Sequence, residues 1–398
     1  MLGIFLSPIY IALNLYVLRW IYIWTGACHT LFQNMCVRII IALIYLILFT
    51  SPLTAFLTKK PKFLRRALKI ISNFFLGIFL YVLMVIICTD IVRLILENVF
   101  HIGFIHSHSV LVVTGTICFC IILLINLYGI FHAKHIKTTH YDILINKKVP
   151  DLDNLKIILI ADAHFGYNTG TLQTHKIVKK INRQHPDLVC IAGDIFDNEY
   201  DAIKNPEKIQ KIMHSLKSKY GVYACWGNHD INEKIFGGFT FKPKKDHIDE
   251  LIDDRMKNFL KASNIKLLED ENILIDKKFY LLGRKDADAS KKLNSPRLSP
   301  NELTKNLDLD KPILLMDHQP KELIELSKAG VDLDLSGHTH NGQIFPLNIP
   351  TKMIWKNSYG LMHIDKMINI TTSGVGVWGP SMRIGSDNEI CVIDVHFS

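Results

Sequence analysis

The sequence predicts two modules of different class: an N-terminal all-α four-helix transmembrane module at residues 1–132 and a C-terminal α/β domain at 153–398, joined by a linker at 133–152. Three observations predict it. Four long apolar runs precede residue 132, each near the roughly 20 residues a helix needs to cross a bilayer. Charge divides at the same place: residues 1–140 hold eleven Lys and Arg against two acids, Asp90 and Glu97, whereas 141–398 is balanced. Beyond Lys147, short apolar runs alternate with polar, helix-like segments, the pattern of a layered α/β domain.

The spans are read at about 4–24, 39–57, 70–88 and 110–131. Arg19 lies near one end of the first, where it reaches the headgroups. The other three carry no charge, which argues for an anchor and against an ion pathway. Ser51 and Pro52 predict a kink in the second. The first run lacks a basic start and three more follow, so it reads as a span rather than a cleaved leader. Lys59, Lys60, Lys62, Arg65, Arg66 and Lys69 link spans two and three, and Lys134 and Lys137 follow span four. Positive-inside bias then puts both ends in the cytoplasm. The basic excess of the whole chain therefore reports membrane topology; a lipid bilayer is the expected partner and a nucleic-acid polymer is not. The eight cysteines form no C-x-x-C pair and read as small apolar side chains in a reducing compartment.

In the second module, strands are predicted at 155–161, 187–192, 221–226, 265–268, 273–275, 279–282, 313–316, 331–335, 367–371 and 390–395. Helices are predicted at 172–184, 206–218, 248–262 and 321–329. Five of the strands end in clusters of Asp, Asn or His: Asp162-Ala163-His164, Gly193-Asp194-Ile195-Phe196-Asp197, Gly227-Asn228-His229-Asp230, Asp317-His318-Gln319-Pro320 and Gly337-His338-Thr339-His340. Sites in α/β sheets gather at the carboxyl ends of strands. The donors are carboxylate, amide and imidazole, without thiol, a mix that suits Mn, Fe, Zn or Ni. There are more of them than one ion needs. A pair of divalent ions bridged by a carboxylate would use them all, and such pairs clamp the oxygens of an in-line phosphoryl displacement.

The ordered set D-x-H, G-D-x-x-D, G-N-H-D, L-L-x-x-H-x-P and G-H-T-H resembles the calcineurin-like metallophosphoesterase family over about residues 153–396. The run Gly337-His338-Thr339-His340-Asn341-Gly342-Gln343 and the run from Ser373 to Pro380 resemble its membrane-associated bacterial branch, which more often has Gly at the place of Asn341. The resemblance implies a two-sheet α/β sandwich with two metal ions. It implies that Asp162, His164, Asp194 and His340 hold one ion, and that Asp194, Asn228, His318 and His338 hold the other, with Asp194 shared. Hydrolysis of a phosphoester by a metal-bound hydroxide follows, with His229 as general acid and Asp230 or Asp197 orienting its ring. Gly193, Gly227 and Gly337 would let the backbone turn beside the ions.

Other assignments stay open between a functional and a plain reading. Asp197 is either an outer partner of the site or a loop cap. Asp317 reads as hydrogen-bonded or solvated rather than as a ligand. Arg284, Lys285 and Arg383 are candidates to hold the substrate phosphate, against a default of solvated surface charge. Residues 232–246, with Gly237, Gly238, Lys242, Lys244 and Lys245, read as a lid or as a long surface loop. The substrate is either a lipid-linked phosphodiester or pyrophosphate, or a soluble phosphodiester such as a nucleotide. The alternative of another class is a membrane sensor or partner-binding protein with a structural metal site.

Overall fold

The computed structural model describes residues 2–236, 239–240 and 245–398. The chain divides into two units, one of residues 1–131 with 235–239 and 379–382, the other of the remainder. The first unit is built on four helices: α1 (Leu2–Cys28), α2 (Met35–Leu57), α3 (Lys62–Asn98) and α4 (His108–His132). All four are long and apolar enough to cross a membrane. They overlap the four predicted spans, and α3 runs well past its span at both ends. Asn34 caps α2 through its side chain on the Cys36 N–H, which satisfies one of the N–H groups a helix start leaves open. Asp90, just beyond the third predicted span, accepts from Trp20 Nε1 at 2.9 Å and from the Tyr16 hydroxyl. Its carboxylate is therefore paired on the helix-facing side.

In the second unit, β1 (Ile136–Ile145), β2 (Asn154–Ile160), α5 (Thr171–Asn182), β3 (Leu188–Ala192), α6 (Pro206–His214) and β4 (Val222–Cys225) come first. Residues 235–239, counted with the first unit, supply β5 (Ile235–Phe236) and the start of β6 (Phe239–Thr240); the second unit resumes with α7 (Asp254–Ala262), β7 (Lys266–Leu267), β8 (Glu271–Ile275) and β9 (Phe279–Gly283). Then follow α8 (Ala287–Lys292), α9 (Pro300–Thr304), β10 (Ile313–Met316), α10 (Leu323–Lys328), β11 (Leu333–Ser336), α11 (Asn348–Ile354), β12 (Gly360–Ile364), β13 (Met367–Thr371) and β14 (Asn388–Phe397).

Two six-stranded sheets result, in the orders β1-β14-β2-β3-β4-β7 and β12-β13-β11-β10-β9-β8. The strands that carry the motifs run parallel, β2 with β3 and β4, and β10 with β11, so their carboxyl ends lie on one edge of each sheet. Alternation explains the layers. Leu155, Ile157 and Leu159 of β2 join Leu188, Cys190, Leu281, Leu314, Met316, Leu333 and Leu335 in the core between the sheets. Ile158 and Ile160 face the other way, onto Ile177, Ile181, Ile209, Met213 and Phe259 of the helices. Strands buried on both faces read as continuous apolar runs, which is how they were legible. The sandwich implied by the family resemblance is the fold observed.

Two expectations need correction. The segment 133–152 is not a simple linker: β1 occupies half of it and pairs in parallel with β14 from Ile136 opposite Asn388 to Ile145 opposite Phe397. The predicted helix at 248–262 is shorter, because Asp253 caps it and its first full turn starts at Asp254. The expected lid at 232–246 lies partly outside the described residues, with Gly237, Gly238, Lys242 and Lys244 among those outside and the Lys245 side chain undescribed.

Candidate metal centre

The five strand-end turns converge. Among the described residues, Asp162, His164 and His340 form one group with ligand atoms mutually within 4.8 Å, and Asp194, His318 and His338 form a second. His164 Nε2 faces His340 Nε2 at 3.1 Å, and His340 Nε2 is 3.4 Å from Asp162 Oδ1. His318 Nε2 lies 3.2 Å from Asp194 Oδ2, Asn228 Oδ1 and His338 Nδ1 alike. Asp194 Oδ2 is also 3.8 Å from His164 Nε2. One carboxylate oxygen thus stands between the two groups. All seven residues predicted as metal ligands are brought together, five of them buried and Asn228 and His338 half-buried.

The backbone is bent to achieve this. Asp162, His164, Asp194, His338 and His340 all take left-handed φ, between 45° and 73°, a conformation that costs non-glycine residues energy and persists where surroundings enforce it. Two glycines are needed for space. A Cβ on Gly227 would lie 2.2 Å from Asp194 Oδ1, and one on Gly337 would lie 2.5 Å from Asp162 Oδ2. Backbone N–H groups then aim the carboxylates: His229 N donates to Asp194 Oδ1 at 2.8 Å, and His338 N to Asp162 at 3.1 Å.

Burial dominates the electrostatics. It pushes the Asp162 carboxyl up to about 7, helped by Asp194 and opposed by His318. Burial lowers His164 and His338 to about 3 and holds His340 well below the usual range, the last aided by Arg383. Burial would raise Asp194 and lower His318, but their contact outweighs it and drives each the other way. The neutral His164, His338 and His340 and the Asp194–His318 pair, whose nitrogens crowd carboxylate and amide oxygens, form a donor set that fits divalent metal ions once His318 gives up its proton.

His229 sits at the edge of the centre, its ring 5.3 Å from those of His164 and Trp378. The partner of its Nδ1 is Asn198 Oδ1, not Asp230 or Asp197 as expected. Asp230 is buried and accepts from Phe196 N at 2.8 Å and Gly227 N at 2.7 Å, so it shapes the turn that presents Asn228. Asp197 stands 3.8 Å from His164 Nδ1.

Of the three basic candidates, Arg284 and Arg383 are fully buried and cannot meet a phosphate arriving from solvent. Arg284 pairs with Asp317 at 3.2 Å and donates to the Leu298 carbonyl at 2.8 Å; Asp317 is thus hydrogen-bonded. Arg383 donates to the carbonyls of His340, Ser373 and Gly376 at 2.7–3.0 Å, fixing a ligand loop instead of binding substrate. Lys285 Nζ is engaged by Ser295 Oγ at 3.1 Å. Place in the chain marked all three, Arg284 and Lys285 after the strand that ends at Gly283 and Arg383 in the Gly-Pro loop near the C-terminus, but only packing shows which way each points.

Several neighbours carried no sequence signal. The Trp355 ring lies 5.0 Å from that of His338, with Lys321 Nζ 5.4 Å above Trp355. Lys292 pairs with buried Glu233 at 2.6 Å and is close enough to act on the charge of His229. A cavity of about 580 Å³ opens beside Lys291, Arg297, Lys321 and Glu322.

Residues 155–342 match the family model described as calcineurin-like phosphoesterase. A metallophosphoesterase of Campylobacter jejuni is 31% identical over 63% of this chain and 62% of its own length. A transmembrane protein with metallophosphoesterase domain from Danio rerio is 28% identical over 66% of this chain and 58% of its own. The chain spans about three fifths of the length of both. The UDP-2,3-diacylglucosamine pyrophosphatase LpxG of Chlamydia muridarum is 24% identical over 65% of this chain and 88% of its own.

Proposed function

We propose, from the match of residues 155–342 to the calcineurin-like phosphoesterase family model, that this protein is a membrane-anchored hydrolase of phosphoesters that works with two divalent cations. The observation that carries the reading is the pair of buried Asp/His groups standing on either side of one shared carboxylate, Asp194.

Asp162, His164, His340 and Asp194 would hold one cation, and Asp194, Asn228, His318 and His338 the other. When bound, the cations neutralise phosphoryl oxygens and make water nucleophilic at neutral pH. The chain's own residues do the rest. His229 gives a proton to the leaving oxygen. Asn198 Oδ1 takes its Nδ1–H, so the exchanging atom is Nε2. Asp230 holds the turn at Gly227 and thereby sets Asn228 beside His318. Arg383 ties His340 to the 373–376 loop, which packs on Asp162 through the Gly376 N–H at 3.0 Å.

Four helices of spanning length support anchoring, and the basic loops support a cytoplasmic domain. The name of the Chlamydia muridarum relative supports a lipid-linked pyrophosphate or phosphodiester as the substrate class.

The test is the full chain in lipid nanodiscs, analysed for metal and assayed with a phosphomonoester, a chromogenic diester and a lipid-linked pyrophosphate. We expect two divalent ions per chain and turnover that falls about 10²–10⁴-fold in His229→Ala with metal retained. A chain that holds its metal and hydrolyses none of the three overturns the reading and favours a structural metal in a sensor or partner-binding protein; turnover unchanged in His229→Ala removes His229 as the general acid.

A further inference from the structure

The segment 345–356, Phe-Pro-Leu-Asn-Ile-Pro-Thr-Lys-Met-Ile-Trp-Lys, follows the last ligand, His340, and contains α11. Its composition is that of a core helix, yet α11 has no buried residue. Leu347 is 47% exposed, Ile349 52%, Met353 82% and Ile354 74%. Leaving four large apolar side chains in water forgoes roughly 25 cal/mol for each Å² that could be covered. Contiguous exposed apolar surface of this kind marks a binding face.

Three features on the same segment identify what covers it. Lys352 and Lys356 are exposed beside the apolar side chains, and no acid occurs between Asp334 and Asp365. Trp355 is half-buried at the edge, the place an interfacial aromatic takes. The same chain also carries four helices able to cross a membrane, so a bilayer is always at hand. Apolar residues flanked by lysines, with an aromatic at their border, form the pattern of a helix lying in an anionic membrane interface, where buried apolar area and attraction to acidic headgroups add.

The segment is also fastened to the centre. The Trp355 ring packs 5.0 Å from that of His338. Gly342 lies so close to Asn348 that a Cβ there would come within 2.3 Å of the Asn348 Cα. A body resting on α11 therefore rests beside the His338 group.

We propose that residues 345–356 dock into the headgroup layer of an anionic bilayer and bring the metal centre to phosphoesters carried by lipid. This rests on the phosphoesterase reading for its consequence but not for the docking itself. Docking at headgroup depth presents lipid-borne phosphate to the site at high local concentration, whereas a water-soluble ester gains nothing from it.

The experiment places a photo-crosslinking amino acid at Met353 of the full chain in nanodiscs containing phosphatidylglycerol, with a control at Leu309. Leu309 is 52% exposed and precedes β10, at the opposite end of the strands from the centre. Phospholipid adducts at 353 and none at 309 are expected. No lipid adduct at 353, or adducts there to a second copy or to another protein, overturns the proposal. The double variant Met353→Glu with Ile354→Glu should lose about tenfold of its turnover of a lipid-linked pyrophosphate while turnover of a soluble diester changes less than about twofold. Equal loss on both substrates, or loss on neither, overturns the link to substrate. Lipid adducts at 353 in a chain with no turnover at all would leave docking standing and defeat the hydrolase reading alone.

Discussion

Asn198 shows how much one residue can matter without a motif to mark it. Its Oδ1 is the partner of His229 Nδ1, and its own N–H is held by the His229 carbonyl at 3.0 Å. Without that amide, the ring is free to turn and Nε2 leaves the leaving oxygen. Asn198→Ala should lower kcat on a soluble diester by about 10–100-fold with metal content unchanged, while Asn198→Asp should retain more activity and shift the alkaline limb of the pH–rate profile upward, because a carboxylate favours the imidazolium that a general acid requires. Equal activity of Asn198→Ala and the parent would remove Asn198 from the site. The seven candidate ligands were legible because each lies within a few residues of the end of an apolar run that reads as a buried strand. Asn198, Trp355, Trp378 and Lys321 were not, since each reaches the centre across a contact that no local spacing encodes. Arg284 and Arg383 stayed open between phosphate binding and solvated charge for the same reason: place in the chain does not reveal whether a guanidinium turns inward to carbonyls.

Among the elements, α7 offers a clean test of local stability. Asp253 is its N-cap and accepts from the Arg255 N–H at 3.1 Å. The hydrogen bond from the Arg255 side chain holds this carboxyl below its usual range, against the opposing effect of burial. A carboxyl whose folded pKa is depressed stabilises the fold above its unfolded value of about 4, and that contribution is lost as pH falls through the folded value. Asp253→Ala should therefore cost about 1 kcal/mol at pH 7 in denaturant unfolding and much less near pH 3. A cost that does not change with pH would show that the charge is idle. β1 makes the opposite point about legibility. Its sequence alternates clearly only toward its end, with Ile143 and Ile145 buried and Asp142 and Leu144 exposed. It becomes a strand because β14, some 250 residues later, offers it an edge. The apolar side chains of α11 likewise carry no label in the sequence, and only their exposure shows that they form a surface.

For the whole molecule, the centre links metal to stability. Asp162 and Asp194 are both buried and repel one another when ionised. Cations that bind the folded chain alone stabilise it by mass action. Stripping the full chain in nanodiscs with a chelator should lower the melting temperature of its α/β unit by several degrees, about 2–4 °C for each kcal/mol. Adding Mn²⁺ or Zn²⁺ back should restore it, and Asp194→Asn should abolish the response. A melting temperature indifferent to chelator would mean that the two groups hold no metal.

The sequence alone determined the division into a module of four long apolar helices and an α/β domain, the order of the motif-bearing strands and the Asp, Asn and His residues that converge at their ends. These are written in hydrophobic period and in residues adjacent along the chain, which local sterics and burial translate directly. Tertiary structure alone decided that Asn198 orients His229, that the two arginines point inward, that β1 belongs to the sheet and that α11 faces outward. Each of those depends on which distant segment packs against it, and a side chain's direction and burial are set only when that neighbour is in place.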